Sequence, residues 1–257
     1  MILTADFHTH TKFSHGKGTI LQNAISAKEK GIRAIAITDH GYGHTVYGIK
    51  HRKVPYMKNL CKEAETQTGV KVLFGVEANV LGLSGKTDAR RDDMEYFDVL
   101  LGGIHKMITY DKLEEWFKLF GANALARKTG KVSPELVKRN TKVYINAIKS
   151  NPIDILVHQN YCVFASAVEV AKCCRDYGTY FEIDARKTHL TDEEWFEVAQ
   201  TGVKFVIDSD AHHPSKVGDL AYVESLIERV NINKDQIVNI DGKYPDYFRF
   251  KEYKNKL

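Results

Sequence analysis

Only 4 of the 257 residues are cysteine and 5 are proline. The cysteines are Cys61, Cys162, Cys173 and Cys174, with no CxxC pair and with Cys173 and Cys174 adjacent. That pattern is neither a disulfide framework nor the spacing of a structural zinc site. A reducing, cytoplasmic setting is the plain reading. No apolar run approaches the ~20 residues that cross a bilayer. The start, Met-Ile-Leu-Thr-Ala-Asp-Phe-His, has neither the basic head nor the apolar stretch of a secretion signal, so no membrane partner is expected. No charge sign dominates: 37 Lys+Arg stand against 33 Asp+Glu, a net +4 that is too weak to argue for nucleic acid. There is no repeat, linker or low-complexity tract. The chain does have 43% hydrophobic residues, enough for a sizeable core, and 11 histidines.

Short, nearly continuous apolar runs recur at Leu3–Phe7, Ala34–Thr38, Val72–Val76, Val99–Ile104, Ile153–Val157, Tyr180–Ile183 and Lys204–Ile207. Such runs predict strands buried on both faces, as in a parallel sheet. Helical signals separate them. Thr19 with Gln22, Ser166 with Glu169 and Thr191 with Glu194 have capping-box spacing, closed by Gly31, Gly178 and Gly202. Ser133-Pro134 starts another helix, and the stretch from Pro55 to Gln67 ends at Gly69. Regular alternation means α/β. Closure into a seven-stranded, TIM-like β/α barrel is the simplest arrangement, with an open doubly wound sheet as the alternative. One unit over 1–257 is expected. The span from Lys106 to Pro152 exceeds one crossover: Pro134–Lys149 supplies the helix, leaving an insertion at about 107–133. Within it Asp111–Leu125 reads as an extra helix and Ala126–Val132 as a basic loop.

The histidines fall on this scaffold in a pattern. His8 and His10 follow the first strand, His40 the second, Glu77 the third, His105 the fourth and His158 the fifth. Glu182 and Asp184 end the sixth, Asp210 and His212 follow the seventh, and His15 is within reach of the same end. C-terminal strand ends are where α/β proteins build their sites. In extended chain, residues two apart share a face, so Asp6, His8 and His10 align, as do Asp208, Asp210 and His212. An upstream carboxylate can then orient an imidazole. His44 and His51 read as solvated loop residues or substrate contacts, and His189 and His213 as ordinary surface histidines. Imidazole and carboxylate without thiolate suit zinc, manganese or iron. Two or three ions with a bridging carboxylate use all the donors. Three divalent ions outweigh Glu77 and Asp210, so the mouth should attract a polyanion, and phosphate ester hydrolysis is the matching chemistry.

The segments Asp6-Phe7-His8-Thr9-His10 with His15, Thr38-Asp39-His40-Gly41, Gly75-Val76-Glu77-Ala78-Asn79, His105, His158 and Asp208-Ser209-Asp210-Ala211-His212 carry a family resemblance. Together they resemble the PHP-domain (polymerase and histidinol phosphatase) metallophosphoesterases, and most of all the stand-alone bacterial phosphatase branch. The resemblance implies a distorted seven-stranded β/α barrel with three metal ions. His8, His10, Glu77 and Asp210 would hold the first, Glu77, His105 and His158 the second, and His15, His40 and His212 the third. It further implies a phosphomonoesterase that uses metal-activated hydroxide on a small phosphorylated metabolite, histidinol-phosphate-like or broad. Arg186 is the leading candidate for a phosphate clamp, because a guanidinium grips two oxygens. Lys106 follows, then Arg127 or Lys128. A metal-bound water or Asp208 could serve as the general acid, with Asp208 equally placed to anchor a metal-binding side chain.

Three other readings compete. A nuclease or phosphodiesterase of the same family lacks the expected basic, aromatic-interleaved stripe, so a nucleic-acid partner is not favoured. An amidohydrolase-type metallohydrolase also opens with HxH, but here the third strand ends in Glu77 and offers no lysine for a carbamylated bridge. A non-catalytic metal-binding protein would not need every ligand position filled.

Overall fold

A computed structural model describes residues 1–255. The elements are β1 Ala5–Asp6, α1 Ile20–Glu29, β2 Ala34–Ile37, α2 Val54–Thr68, β3 Lys71–Asn79, β4 Val99–Gly103, α3 Leu113–Trp116, α4 Ala122–Thr129, α5 Pro134–Ser150, β5 Ile155–Leu156, α6 Ala167–Tyr177, β6 Tyr180–Asp184, α7 Asp192–Gln200, β7 Phe205–Asp208, α8 Ala221–Arg229 and α9 Arg249–Lys254. The seven strands are parallel and follow chain order across one sheet. The sheet curls into a nearly closed α/β TIM-like barrel, as the strand–helix alternation predicts. Among the described residues no helix is long and apolar enough to cross a membrane.

The continuous apolar strands serve two cores. Ala34 and Ala36 of β2 join Ala5, Phe7, Val99, Leu101, Ile155 and Val206 inside the barrel. Ile35 and Ile37, one residue out of step, pack outward with the helices. Alternation across the strand therefore meets apolar neighbours on both faces. Gly75 lets β3 and β4 lie close, since a Cβ there would stand 2.4 Å from the Val99 carbonyl oxygen.

The caps form largely as the spacing predicts. Thr19 and Thr191 make reciprocal capping boxes with Gln22 and Glu194. Ser166 accepts from the Glu169 amide but receives no return bond. Gly69 closes α2 in the left-handed region at φ 74°. The insertion departs from expectation. Helix continues from α3 through a π-helical turn, Phe117–Gly121, into α4. Arg127 and Lys128 thus sit in the last helical turn, where cations meet the partial negative charge of free carbonyls, and not in a basic loop.

The seam between β7 and β1 is closed by other means than a ladder. Phe7 donates its amide to Asp208 Oδ1 at 2.6 Å, and Ser209 donates its amide to Asp6 Oδ1 at 3.1 Å. Above them Thr9 and Ala211 form a parallel bridge. Below, Asn239 plugs the gap by accepting from the Ile207 amide and donating to the Ala5 and Ile207 carbonyls, all within 2.9 Å.

Candidate metal centre

The strand ends of this barrel converge on Glu77, which β3 carries fully buried into the mouth. His105 Nε2 and His158 Nε2 each lie 2.7 Å from its Oε1. His40 Nδ1 lies 2.5 Å from Oε2 without the angle of a hydrogen bond. On the other side His8 Nε2 approaches Glu77 Oε1 and Asp210 Oδ1 at 3.5 Å each. His10 Nε2 lies 3.1 Å from Asp210 Oδ1 and 3.6 Å from Glu77 Oε2. His158 and Asp210 adopt left-handed backbone, at φ 28° and 44°. The chain turns sharply at these points, a conformation uncommon outside glycine.

Donor atoms cluster in four overlapping sets: His10, His40 and His212; His8, His10 and Asp210; His8, Glu77 and His158; His40, Glu77 and His105. Ring nitrogens even face one another, His8 Nε2 to His10 Nε2 at 3.1 Å and His105 Nε2 to His158 Nε2 at 3.2 Å. Converging lone pairs of this kind are stabilised by cations, and all donors are nitrogen or oxygen, so the set fits divalent transition ions. His15 stands slightly apart. Its ring contacts those of His40 and His212 at centroid distances of 5.6 and 4.4 Å, but it belongs to none of the four sets.

Charge follows from this crowding. Burial opposes ionisation of Glu77, but the imidazoles of His105, His40 and His8 outweigh it and hold the carboxyl well below its usual range. Burial opposes protonation of His158, yet the hydrogen bond and charge of Glu77 raise it to about 9. His105 goes the other way, down to about 4, because burial dominates there.

Supporting carboxylates are not the ones that strand alternation suggests. β1 ends at Asp6, so the extended register does not continue to His10, and Asp6 is tied to Ser209 and Gly218 at the seam. His8 Nδ1 instead meets Glu182 Oε1 at 2.6 Å, and the other Glu182 oxygen accepts from the His158 amide at 2.5 Å. Asp39 accepts from the Thr11 amide and hydroxyl and from Ser14, and stands 3.9 Å from His10 Nδ1. Asp208 is buried at the seam with Phe7, away from the cavity lining.

A cavity of about 350 Å3 opens over the cluster. Arg186 lines it, with Nη1 donating to Asp210 Oδ2 at 2.8 Å and lying 3.2 Å from His212 Nδ1. Lys106, Asp184, Tyr47 and Tyr161 also line it. So do His44, read from the sequence as a solvated loop residue or a substrate contact, and His189, read as an ordinary surface histidine. His44 is buried because its loop pairs with Ile108, which stacks its ring on His40 at 4.7 Å. His189 packs on Tyr161 at 5.1 Å. His51 and His213 remain exposed, bonded to Asp93 and to Ser215.

A parallel β/α barrel with imidazole and carboxylate donors at its C-terminal mouth defines a barrel metalloenzyme. The PHP domain model matches residues 6–186, and the chain belongs to the PHP domain family. It is 30% identical over 267 residues to the "Probable phosphatase" of Thermoanaerobacter sp. (strain X514), covering 99% of this chain and 98% of that one. It is 30% identical over 248 residues to the "Probable phosphatase" of Caldanaerobacter subterraneus subsp. tengcongensis, covering 92% and 87%. Among solved structures, histidinol phosphate phosphatase from Lactococcus lactis, complexed with zinc, L-histidinol and phosphate, superposes with TM-score 0.58 at 11% identity. That match covers 91% of this chain and 95% of the other.

Proposed function

We propose that this chain is a metal-dependent phosphomonoesterase acting on a small phosphorylated metabolite. The observation that carries the reading is Glu77, one buried carboxylate in contact with imidazoles from several strands, set beneath a cavity that Arg186 lines. Three ions would use all the donors: His8, His10, Glu77 and Asp210 would hold one, Glu77, His105 and His158 a second, and His40 and His212, with His15 beside them, a third. Nitrogen and oxygen donors suit zinc, manganese or iron. Bound divalent ions supply Lewis acidity, lowering the pKa of water and offsetting charge on phosphoryl oxygens.

The protein's own groups do the rest. Arg186 gives up its contact with Asp210 to grip phosphate oxygens, and Lys106, which lines the same cavity, adds a second cation. Glu182 holds His8 in orientation, and Asp39 places a carboxylate 3.9 Å from His10 Nδ1. Asp208 stays at the seam as a positioning group. The four cysteines are buried and unpaired, which supports a reducing compartment, the cytoplasm.

The test is hydrolysis of p-nitrophenyl phosphate and a panel of phosphate monoesters by metal-replete protein. Glu77→Gln should lose about 100-fold or more in kcat/KM and bind less metal by elemental analysis. Failure of the wild type on every ester, or full activity in the variant, would sink the reading.

A further inference from the structure

A second groove of about 330 Å3 runs beside the cavity over the histidine cluster, between the insertion and the chain that follows β5. Its walls are Lys106, Phe120, Ala124, Arg127, Lys128 and Cys162. Lys106 lines both spaces, so they meet at one side chain.

The groove is lopsided in charge. It has three cationic walls and no acidic one. On and around the insertion, Lys118 faces Glu114 at 3.7 Å and Lys86 faces Asp111 at 3.7 Å. Lys106, Arg127 and Lys128 have no such carboxylate among the described residues. Two of the three are also held in place. Lys106 Nζ lies 4.9 Å over the Tyr161 ring, whose other neighbours include His158 at 5.3 Å. The Arg127 guanidinium lies 5.2 Å from the Phe164 ring and donates from Nη2 to the Tyr161 carbonyl at 3.3 Å. Aromatic faces fix cations without neutralising them. Three like charges around one concavity repel, and a bound anion relieves that repulsion. Phe120 and Ala124 add apolar wall for a short carbon skeleton.

We infer that this groove takes a second anionic group of the substrate. The preferred esters are then those whose leaving group itself carries a phosphate or a carboxylate. This rests on the phosphomonoesterase reading above and narrows it. The same cations work against a leaving group that carries an ammonium, an amino-alcohol phosphate such as histidinol phosphate included.

The experiment measures binding to metal-loaded protein without turnover. Alkylene diphosphonates and carboxyalkyl phosphonates of increasing length are titrated calorimetrically against simple alkyl phosphonates of matching length. At one length a two-headed ligand should bind about tenfold tighter than its one-headed counterpart, as expected for an added charge-assisted contact. The series that shows the gain tells phosphate from carboxylate. Lys128→Glu, an exposed substitution, should abolish the gain. No gain at any length, or a gain that survives Lys128→Glu, overturns the inference. Hydrolysis of p-nitrophenyl phosphate and of the full panel of phosphate monoesters, two-headed ones included, by the same preparation reports on the enzyme reading separately. Selective binding without hydrolysis keeps the groove and sinks the phosphatase; hydrolysis without selectivity does the reverse.

Discussion

Glu182 holds one imidazole and the backbone of a second histidine at once. One oxygen receives the His8 Nδ1 proton at 2.6 Å, which leaves the His8 Nε2 lone pair free to face the cluster. The other oxygen accepts the His158 amide and supports that residue's left-handed turn. In Glu182→Gln the amide group can satisfy only one of these roles. If its NH2 turns to His8, Nδ1 must accept, the proton moves to Nε2 and the metal-facing lone pair is lost. Metal affinity, measured by competition with a chelator, should fall about 10- to 100-fold. An unchanged affinity would mean that the ring is oriented by something else. Asp154 shows a different use of a buried carboxyl, far from the cluster. Burial pushes it up to about 7 from 3.8, against the opposing effect of the Phe250 and Leu100 amides and the Arg249 charge. Between those values the folded chain keeps a proton that the unfolded chain has released, so this group's contribution to stability falls as pH rises through that window. Asp154→Asn cannot ionise and leaves one of the two amides without its acceptor, at a cost of about 1–3 kcal/mol. The variant should therefore be less stable than the wild type, with the gap largest near pH ~4.5 and smaller by pH ~7.5. Urea unfolding of the metal-free proteins at both pH values checks the sign; a gap that widens with pH contradicts it.

Secondary structure was legible where its signals are local. Apolar runs marked all the strands because both faces of each are buried, Ala34 and Ala36 inward and Ile35 and Ile37 outward. Caps at Thr19 and Thr191 formed because each needs only the next turn of its own helix. The strand-end rule brought His8, His10, His40, Glu77, His105, His158, Asp210 and His212 into one mouth, since parallel register makes every C-terminal end face the same way. What escaped depends on partners distant in sequence. His44 is buried only because Thr45 donates to the Met107 carbonyl and Thr109 to that of Gly43, joining two loops over the mouth. The role of Glu182 depends on its contact with His8, 174 residues away in sequence, which follows β1. In the insertion, Arg127 and Lys128 read as loop because of their charge. Gly130, at φ 69°, shows the helix ending only after Thr129, and that glycine was the signal for the true boundary.

The whole barrel depends on how its first and last strands meet. Six strand pairs are held by parallel ladders, while the seventh contact relies on side chains and on the returning C-terminal segment. Asn239 is the lower plug of that seam. Its backbone oxygen accepts from Thr4, its Oδ1 accepts from Ile207, and its Nδ2 donates to Ala5 and Ile207. The sequence offers no hint of this, because a single asparagine near the end of a chain reads as surface; yet it is fully buried. The seam also leads upward to the metal centre: His8 and His10 leave from the β1 side, Asp210 and His212 from the β7 side, and the Thr9–Ala211 bridge joins them. Asn239→Ala would leave the Ile207 amide and two carbonyls buried without partners, so it should cost about 3 kcal/mol or more, a large fraction of a typical domain's stability. Asn239→Asp should fare little better, since a carboxylate can accept from Ile207 but cannot donate to Ala5. Because the seam positions donors from both strands, the alanine variant should also bind metal more weakly, whereas Asp154→Asn, at the N-terminal end of β5 and away from the mouth, should not. Urea midpoints and chelator competition on the same preparations separate the two effects. A stability loss below about 1 kcal/mol would mean that the ladders and the Thr9–Ala211 bridge hold the barrel closed by themselves.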